Sequence, residues 1–318
     1  MSEQEMPVID TTGRTEYPPG ALEHIKDLPV RIEPRGAVEE DDVIEAARGA
    51  TAILVTAAYV TRRVLEALQP ELRAVVRYGV GLDRIDLDAA RELGVDVRNT
   101  RDFCTNEVAD HALALLLAVG RDIVNRAMAV REGDWGGGGG RTLHRLSGGV
   151  AGVIGLGDIG LGVARRVAAL GMAVVAHDPY ADRREAQAMG VRLVGLEELL
   201  AESDAVLVTC PLTDETRGMI DAEALAMMKP TALLVNTSRG GIIDEDALVE
   251  ALREGEIAGA GLDVLEQEPP PEDHPLLAME NTVITPHTAF ASAEASYDLV
   301  VGAFRELADA LRGAQGGE

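Results

Sequence analysis

Aromatic side chains are scarce: Phe, Trp and Tyr make up 3% of the 318 residues, and there is one Trp. A packed interior must therefore be built from Ala, Val, Leu and Ile. The hydrophobic content of 47% supplies enough of them to exclude a disordered chain. Lysine is nearly missing, since of 29 basic residues only Lys26 and Lys229 are lysines, against 54 acids. The net charge of −25 argues against a nucleic-acid partner, whose phosphates need a basic face. The acidity reads either as solvated surface or as adaptation to high salt. Cys104 and Cys210 lie far apart and form no C-x-x-C, which excludes a disulfide framework and points to a reducing compartment. "MSEQEMPVID" is acidic and lacks the apolar core of a secretory signal. The longest dense apolar run, "ALALLLAVG" (112–120), is too short to cross a bilayer. A cytoplasmic protein without a membrane partner is expected. No spacing of His, Cys, Asp or Glu resembles a zinc site, so no metal is expected.

What is present is a steady alternation of short β-branched runs with helical patterns, which indicates an α/β fold with parallel sheets. The length suggests about two domains at roughly 150 residues each. Strands are expected near 6–10, 28–32, 51–55, 72–76 and 95–97, with helices near 39–48, 61–68 and 86–93. From about 105, "TNEVADHALALLLAVGRDIVNRAMAV" reads as one long helix. Thr105 would cap it, and Val108, Ala112, Leu115, Leu116, Val119 and Ile123 would share a face. "GDWGGGGG" (133–140) then makes a flexible loop or arm. Further strands are expected near 150–154, 172–177, 191–194, 204–209, 231–236, 257–263 and 282–285. A helix follows Gly157 and ends near Gly171, another spans Asp244 to Arg253 before Gly255, and a last one begins near 291.

"VIGLGDIG" (153–160) carries glycines at Gly155, Gly157 and Gly160 in the G-x-G-x-x-G spacing. Such a loop is weak evidence by itself, but here a strand enters it and a helix leaves it. A second strand then ends in Asp178, close to the ~20 residues on that separate the loop from the acid that grips an adenosine ribose. Glycine allows a tight turn and lets backbone N–H groups approach a pyrophosphate, which the helix dipole also attracts. Asp158 inside the loop is tolerable because the backbone does the binding. A carboxylate at Asp178 accepts from the 2′-hydroxyl of NAD and repels the 2′-phosphate of NADP, so NAD is the expected cofactor.

Three later segments each place a polar group just beyond an apolar strand, where open α/β sheets bind ligands. They are "LLVNTSRGGIIDEDAL" with Arg239, "GAGLDVLEQEPP" with Glu268 and "VITPHTAF" with His287. Arginine can bind a carboxylate and polarise a carbonyl. Histidine can give and take a proton near neutrality, and a neighbouring carboxylate would orient it.

Taken with "RYGVGLDRIDLDAA", "NEVADHALALLLA", "HDPY", "CPLTDETRGMID" and "MKPTALLVNTSRG", these segments make the chain resemble the D-isomer-specific 2-hydroxyacid dehydrogenase family over nearly its whole length. The closest likeness is to the branch of C-terminal-binding-protein-like and phosphoglycerate-dehydrogenase-like members. The resemblance implies that Arg239 binds substrate, that His287 is the acid/base and that Glu268 is its partner. It assigns Gly155, Gly157, Asp158, Ile159, Gly160, Asp178, Cys210, Pro211, Thr237 and Asp263 to the cofactor. It assigns Arg77, Val80, Gly81 and Phe290 to the substrate. Three positions depart from the family pattern: Asp158 stands where Arg is frequent, Arg84 where Asn is common, and Phe290 where the nearest branch often has Trp. Glu268 and Val80 differ from the Gln and Lys of the formate and phosphite enzymes of this fold. His111, inside the long helical pattern, reads as structural.

The implied architecture is a Rossmann-type, doubly wound parallel sheet, residues 104–290, inserted into a flavodoxin-like substrate domain, residues 1–103 and 291–318. The active site would lie in the cleft between them. The implied reaction transfers a hydride between NAD and C2 of a small 2-hydroxy or 2-keto acid, with the enzyme a homodimer. An NAD(H)-sensing corepressor-like binding protein is the alternative.

Overall fold

The computed structural model describes residues 5–136 and 141–315, with side chains to 313. The run Gly137–Gly140 of the glycine arm and the last three residues of the "GAQGGE" tail fall outside the described residues. The chain divides into two compact units, one running to Cys104 and resuming at Ser292, the other spanning Thr105–Ala291.

The first unit alternates strand and helix: β1 (Met6–Asp10), α1 (Pro19–Ile25), β2 (Val30–Pro34), α2 (Glu40–Ala46), β3 (Ala52–Val55), α3 (Arg62–Ala67), β4 (Ala74–Arg77), α4 (Leu87–Glu92) and β5 (Asp96–Asn99). All five strands are parallel, in the order β2-β1-β3-β4-β5. That is the flavodoxin order. Its central strand β3, "AILV", is buried at every position, as a parallel strand covered on both faces must be.

The second unit carries α5 (Thr105–Gly120), α6 (Ile123–Arg131), β6 (Val150–Ile154), α7 (Asp158–Ala169), β7 (Ala173–His177), α8 (Arg183–Ala188), β8 (Arg192–Leu193), α9 (Leu196–Glu202), β9 (Ala205–Val208), α10 (Ala222–Met227), β10 (Leu233–Asn236), α11 (Glu245–Glu254), β11 (Gly259–Leu262) and β12 (Thr282–Ile284). Its seven strands run in the order β12-β11-β10-β9-β6-β7-β8, all parallel. The order reverses at β6 and β9, which makes their carboxyl ends the switch point of a Rossmann-type sheet. The last helix, α12 (Ala293–Gln315), returns to the first unit. Its Phe304 is fully buried, its ring centroid 5.0 Å from that of Tyr17 and tilted against it, so it completes that unit's core.

One expected helix is two. The pattern from Thr105 breaks at Asp122, which adopts φ +55°, a left-handed conformation that Asp tolerates better than most residues. The Asp122 side chain is buried and accepts from Asn125 Nδ2 at 2.8 Å. Thr105 is the first residue of α5 rather than its cap, and Ile123 leaves the buried face and is 51% exposed. The rest of that face, Val108 to Val119, is buried as the spacing predicts.

Candidate active site

The loop after β6 is shaped by what its glycines must avoid. Gly155 has φ +89°, and a Cβ there would stand 2.6 Å from the Cys210 backbone at the end of β9. Only glycine meets both constraints. A Cβ on Gly160 would lie 2.1 Å from the Gly155 carbonyl oxygen, so α7 starts pressed against the loop. Gly157 is exposed, with open space where its Cβ would be. No side chain caps α7 at Gly157, which leaves first-turn N–H donors and the positive end of the helix dipole for an anion. Asp158 is exposed in that first turn, while Ile159 packs against the core.

Asp178, just past β7, is fastened to this loop. Its carboxylate accepts from the Leu156 amide at 2.7 Å and from the Tyr180 amide at 2.8 Å. Cys210 is buried, and burial, with the charge of Asp178 adding to it, pushes its thiol up to about 11 against one opposing backbone hydrogen bond. It packs against the Gly155 turn. Pro211 is exposed, and its carbonyl accepts from Thr216 Oγ1 at 2.6 Å. Thr237 Oγ1 is buried and has no hydrogen-bond partner among the described residues. An orphaned hydroxyl costs about 1–3 kcal/mol unless a ligand group satisfies it. The uncapped helix, the open Gly157 and this hydroxyl fit a bound dinucleotide.

The loops after β10, β11 and β12 build the second half of the site. After β10, Asn236 accepts from the Ser238 amide at 2.9 Å and donates to the Arg239 carbonyl at 2.8 Å, while Ser238 Oγ donates to the Cys210 carbonyl. These bonds fix the turn that carries Arg239, whose guanidinium donates to the Ser238 carbonyl at 2.7 Å. Gly240 follows because a Cβ there would lie 2.0 Å from the Leu265 backbone, which presses the Arg239 turn against the loop leading to Glu268.

Glu268 and His287 meet: Glu268 Oε2 lies 2.7 Å from His287 Nδ1, with side chains 29% and 41% exposed. A carboxylate only accepts, so Nδ1 carries the hydrogen and Nε2 is left without that partner. Burial alone would raise the Glu268 carboxyl, but the hydrogen bond and charge of His287, the Leu265 amide and the charge of Arg239 together hold it below the ordinary carboxylate range. His287 itself adopts φ +54°, unusual for a side chain of its size.

Asp263 is 1% exposed and turned inward. Its Oδ1 accepts from Thr285 Oγ1 at 2.6 Å and the Thr288 amide at 2.9 Å, and its Oδ2 accepts from the Ala289 amide at 2.8 Å. Phe290, one residue on, is half-buried.

Arg77, Val80 and Gly81 belong to the other unit. Arg77 ends β4 and donates to the Tyr78 carbonyl at 3.1 Å, Val80 is 45% exposed, and Gly81 is half-buried. Tyr78 anchors this loop by donating to the buried Asp10 at 3.0 Å. Arg84 donates to the Ala57 carbonyl at 2.6 Å and lies 4.8 Å above the Tyr59 ring, so it ties two loops of its own unit.

Sequence reasoning missed the contact of His111 Nε2 with Thr285 Oγ1 at 2.9 Å, and that of Glu245 with His274 at 3.1 Å and with the Glu266 amide. The one sequence signal for the first is a polar residue at helical spacing within the apolar face of α5.

Residues 113–289 match the D-isomer specific 2-hydroxyacid dehydrogenase, NAD binding domain family. A glyoxylate reductase of Korarchaeum cryptofilum is 47% identical over 232 residues, covering 71% of this chain and 69% of that protein. A D-3-phosphoglycerate dehydrogenase of Archaeoglobus fulgidus is 39% identical over 283 residues, 88% of this chain and 53% of that protein. The chain thus spans about half the length of that relative. The crystal structure of a D-lactate dehydrogenase from Aquifex aeolicus, complexed with NAD and lactic acid, superposes with a TM-score of 0.85 at 28% identity, over 97% of this chain and 96% of that one. The chain belongs to the D-isomer-specific 2-hydroxyacid dehydrogenase family. The cofactor of its dinucleotide-binding unit is NAD. Among the described residues no helix is long and apolar enough to cross a membrane.

Proposed function

We propose that the protein is an NAD-dependent D-2-hydroxyacid dehydrogenase that interconverts a small 2-keto acid and its D-2-hydroxy acid. The observation that carries this reading is the 2.7 Å pair of His287 Nδ1 and Glu268 Oε2, formed at the carboxyl end of a dinucleotide-binding sheet. The glycine loop and the start of α7 hold the pyrophosphate, Asp178 holds the adenosine ribose, and Thr237 Oγ1 satisfies a cofactor group. NAD, when bound, supplies or receives the hydride.

The remaining chemistry belongs to the chain. Arg239 binds the substrate and polarises its carbonyl. By the family resemblance, the backbone N–H groups of Val80 and Gly81 take the substrate carboxylate, and Arg77 and Phe290 are further substrate residues. In reduction, His287 enters as the imidazolium and gives the Nε2 proton to the forming hydroxyl oxygen. In oxidation it takes that proton back. Glu268, kept anionic by its surroundings, holds the ring through Nδ1 and balances its positive charge. Asp263 acts by holding the turn on which His287 sits.

The assay is a screen of 2-keto acids with NADH and NADPH, followed by absorbance. Turnover with NADH, and a clear preference for it over NADPH, is expected from Asp178. NADH binding without turnover of any 2-keto acid would support the NAD(H)-sensing binding protein instead.

We also propose a homodimer. The apolar face of α5 is consumed by its own sheet, where Ala109, Ala112, Leu115, Leu116 and Val119 are buried. Helix α6 buries none of its side chains and exposes Ile123, Val124, Met128 and Val130, with Trp135 just beyond. A second copy of this chain covering α6 accounts for that surface. The two buried cysteines, Cys104 and Cys210, far apart in sequence, go with a reducing, cytoplasmic location.

A further inference from the structure

The His287 turn is held by a chain of groups that ends outside the acid/base pair. His287 sits in a left-handed conformation, and three amides in succession fasten it to Asp263. The His287 amide donates to the Asp263 carbonyl at 2.8 Å, the Thr288 amide to Oδ1 at 2.9 Å, and the Ala289 amide to Oδ2 at 2.8 Å. The buried carboxylate therefore sets the orientation of the turn, and what holds the carboxylate matters. Thr285 Oγ1 donates to Oδ1 at 2.6 Å. A hydroxyl has one proton, and this one is committed to the carboxylate. The contact of His111 Nε2 with the same Oγ1 at 2.9 Å must then be donated by the histidine. The order is His111 Nε2–H to Thr285 O–H to Asp263 Oδ1, each donor polarising the next. Nε2 also lies 3.5 Å from Oδ1 directly.

The reach of His111 is built into the packing. Gly259 and Gly261 alternate on one face of β11, and Cβ atoms there would lie 2.8 Å from Val119 and 2.9 Å from Leu115. Their absence lets α5 lie close on the strand. Leu115 is four residues beyond His111 on the same helical face, so the same close approach delivers the imidazole to the end of β12.

We propose that His111 is a positioning residue that sets the His287 turn through Thr285 and Asp263. Its effect on catalysis rests on the reading of His287 as the acid/base. The test compares His111→Leu, which removes the donor, with His111→Gln, which keeps an N–H at similar reach, in the full chain. With NADH and a 2-keto acid, His111→Leu should lower kcat ~10-fold or more. His111→Gln should recover most of that loss. Thr285→Val should match His111→Leu, and the double variant should be little worse than either alone, since both cut one chain. The ring NMR signals of His287, assigned by their loss in His287→Ala, should move in His111→Leu and return in His111→Gln. Parental kcat and parental ring signals in His111→Leu overturn the proposal. So does equal impairment of the Leu and Gln variants, which would make ring packing the cause. If the parent turns over no 2-keto acid, the proposed function fails, and the His287 signals still decide whether His111 sets the turn.

Discussion

At the scale of single residues, the informative group is Glu268. Its carboxyl is held low by His287, the Leu265 amide and Arg239 in spite of burial. Glu268→Gln keeps a hydrogen-bond acceptor of the same shape and removes the charge. Reduction of a keto acid needs the imidazolium that Glu268 holds and balances through Nδ1, so kcat/KM for reduction should fall in this variant. Oxidation needs the neutral ring and should suffer less. Equal kcat/KM in parent and variant for reduction would detach Glu268 from the proton transfer. Stability has its own sign. A carboxyl lowered in the folded state contributes stability above its unfolded pKa, about 4.3, and loses it as pH falls through the folded value. The parent should therefore lose more stability than Glu268→Gln on acidification below about pH 4.3, read as the shift in urea midpoint.

At the scale of elements, much was legible because parallel strands are apolar runs and their connections are not. The strand expected at 150–154 is β6, residue for residue, and the run expected at 257–263 contains β11. Four short helices escaped, α1, α8, α9 and α10, while α2, α3 and α4, no longer than these, were read near 39–48, 61–68 and 86–93. The break at Asp122 escaped because a left-handed residue leaves no mark on the apolar pattern. Arg239, Glu268 and His287 stood out in the sequence by following strands. His111 did not, because its contact with Thr285 joins a helix to a loop 174 residues away. Helix α11 was read from its ends, and those ends can be tested. Asp244 caps it by accepting from the Ala247 amide at 3.0 Å, and Gly255 closes it at φ +73°. Asp244→Ala should cost about 1 kcal/mol, seen as a lower denaturation midpoint. NADH affinity should not change, because the glycine loop lies on other elements. A midpoint unaltered within error would mean that water replaces the cap at no cost.

At the scale of the whole molecule, two terms oppose each other at the surface. The net charge of −25 makes any two copies repel, while α6 offers Ile123 at 51% exposure, Met128 at 54% and Trp135 at 86%. Repulsion between exposed charges is long-ranged and screened by salt, with a Debye length of about 8 Å at ~0.15 M. Apolar contact is short-ranged and not weakened by salt at that level. If the α6 surface joins two copies, the dimer should tighten as salt rises from a low value to ~0.15 M, the reverse of an interface held by ion pairs. Light scattering at micromolar concentration should then give twice the chain mass of 33.6 kDa at the higher salt. Met128→Glu places a charge in the patch without touching any buried side chain, since α6 buries none. It should shift the mass toward the monomer while the melting of isolated chains is little changed. A parent that is monomeric at both salt levels would reject self-association through α6. A dimer that loosens with salt would instead place the interface on paired charges elsewhere on the surface.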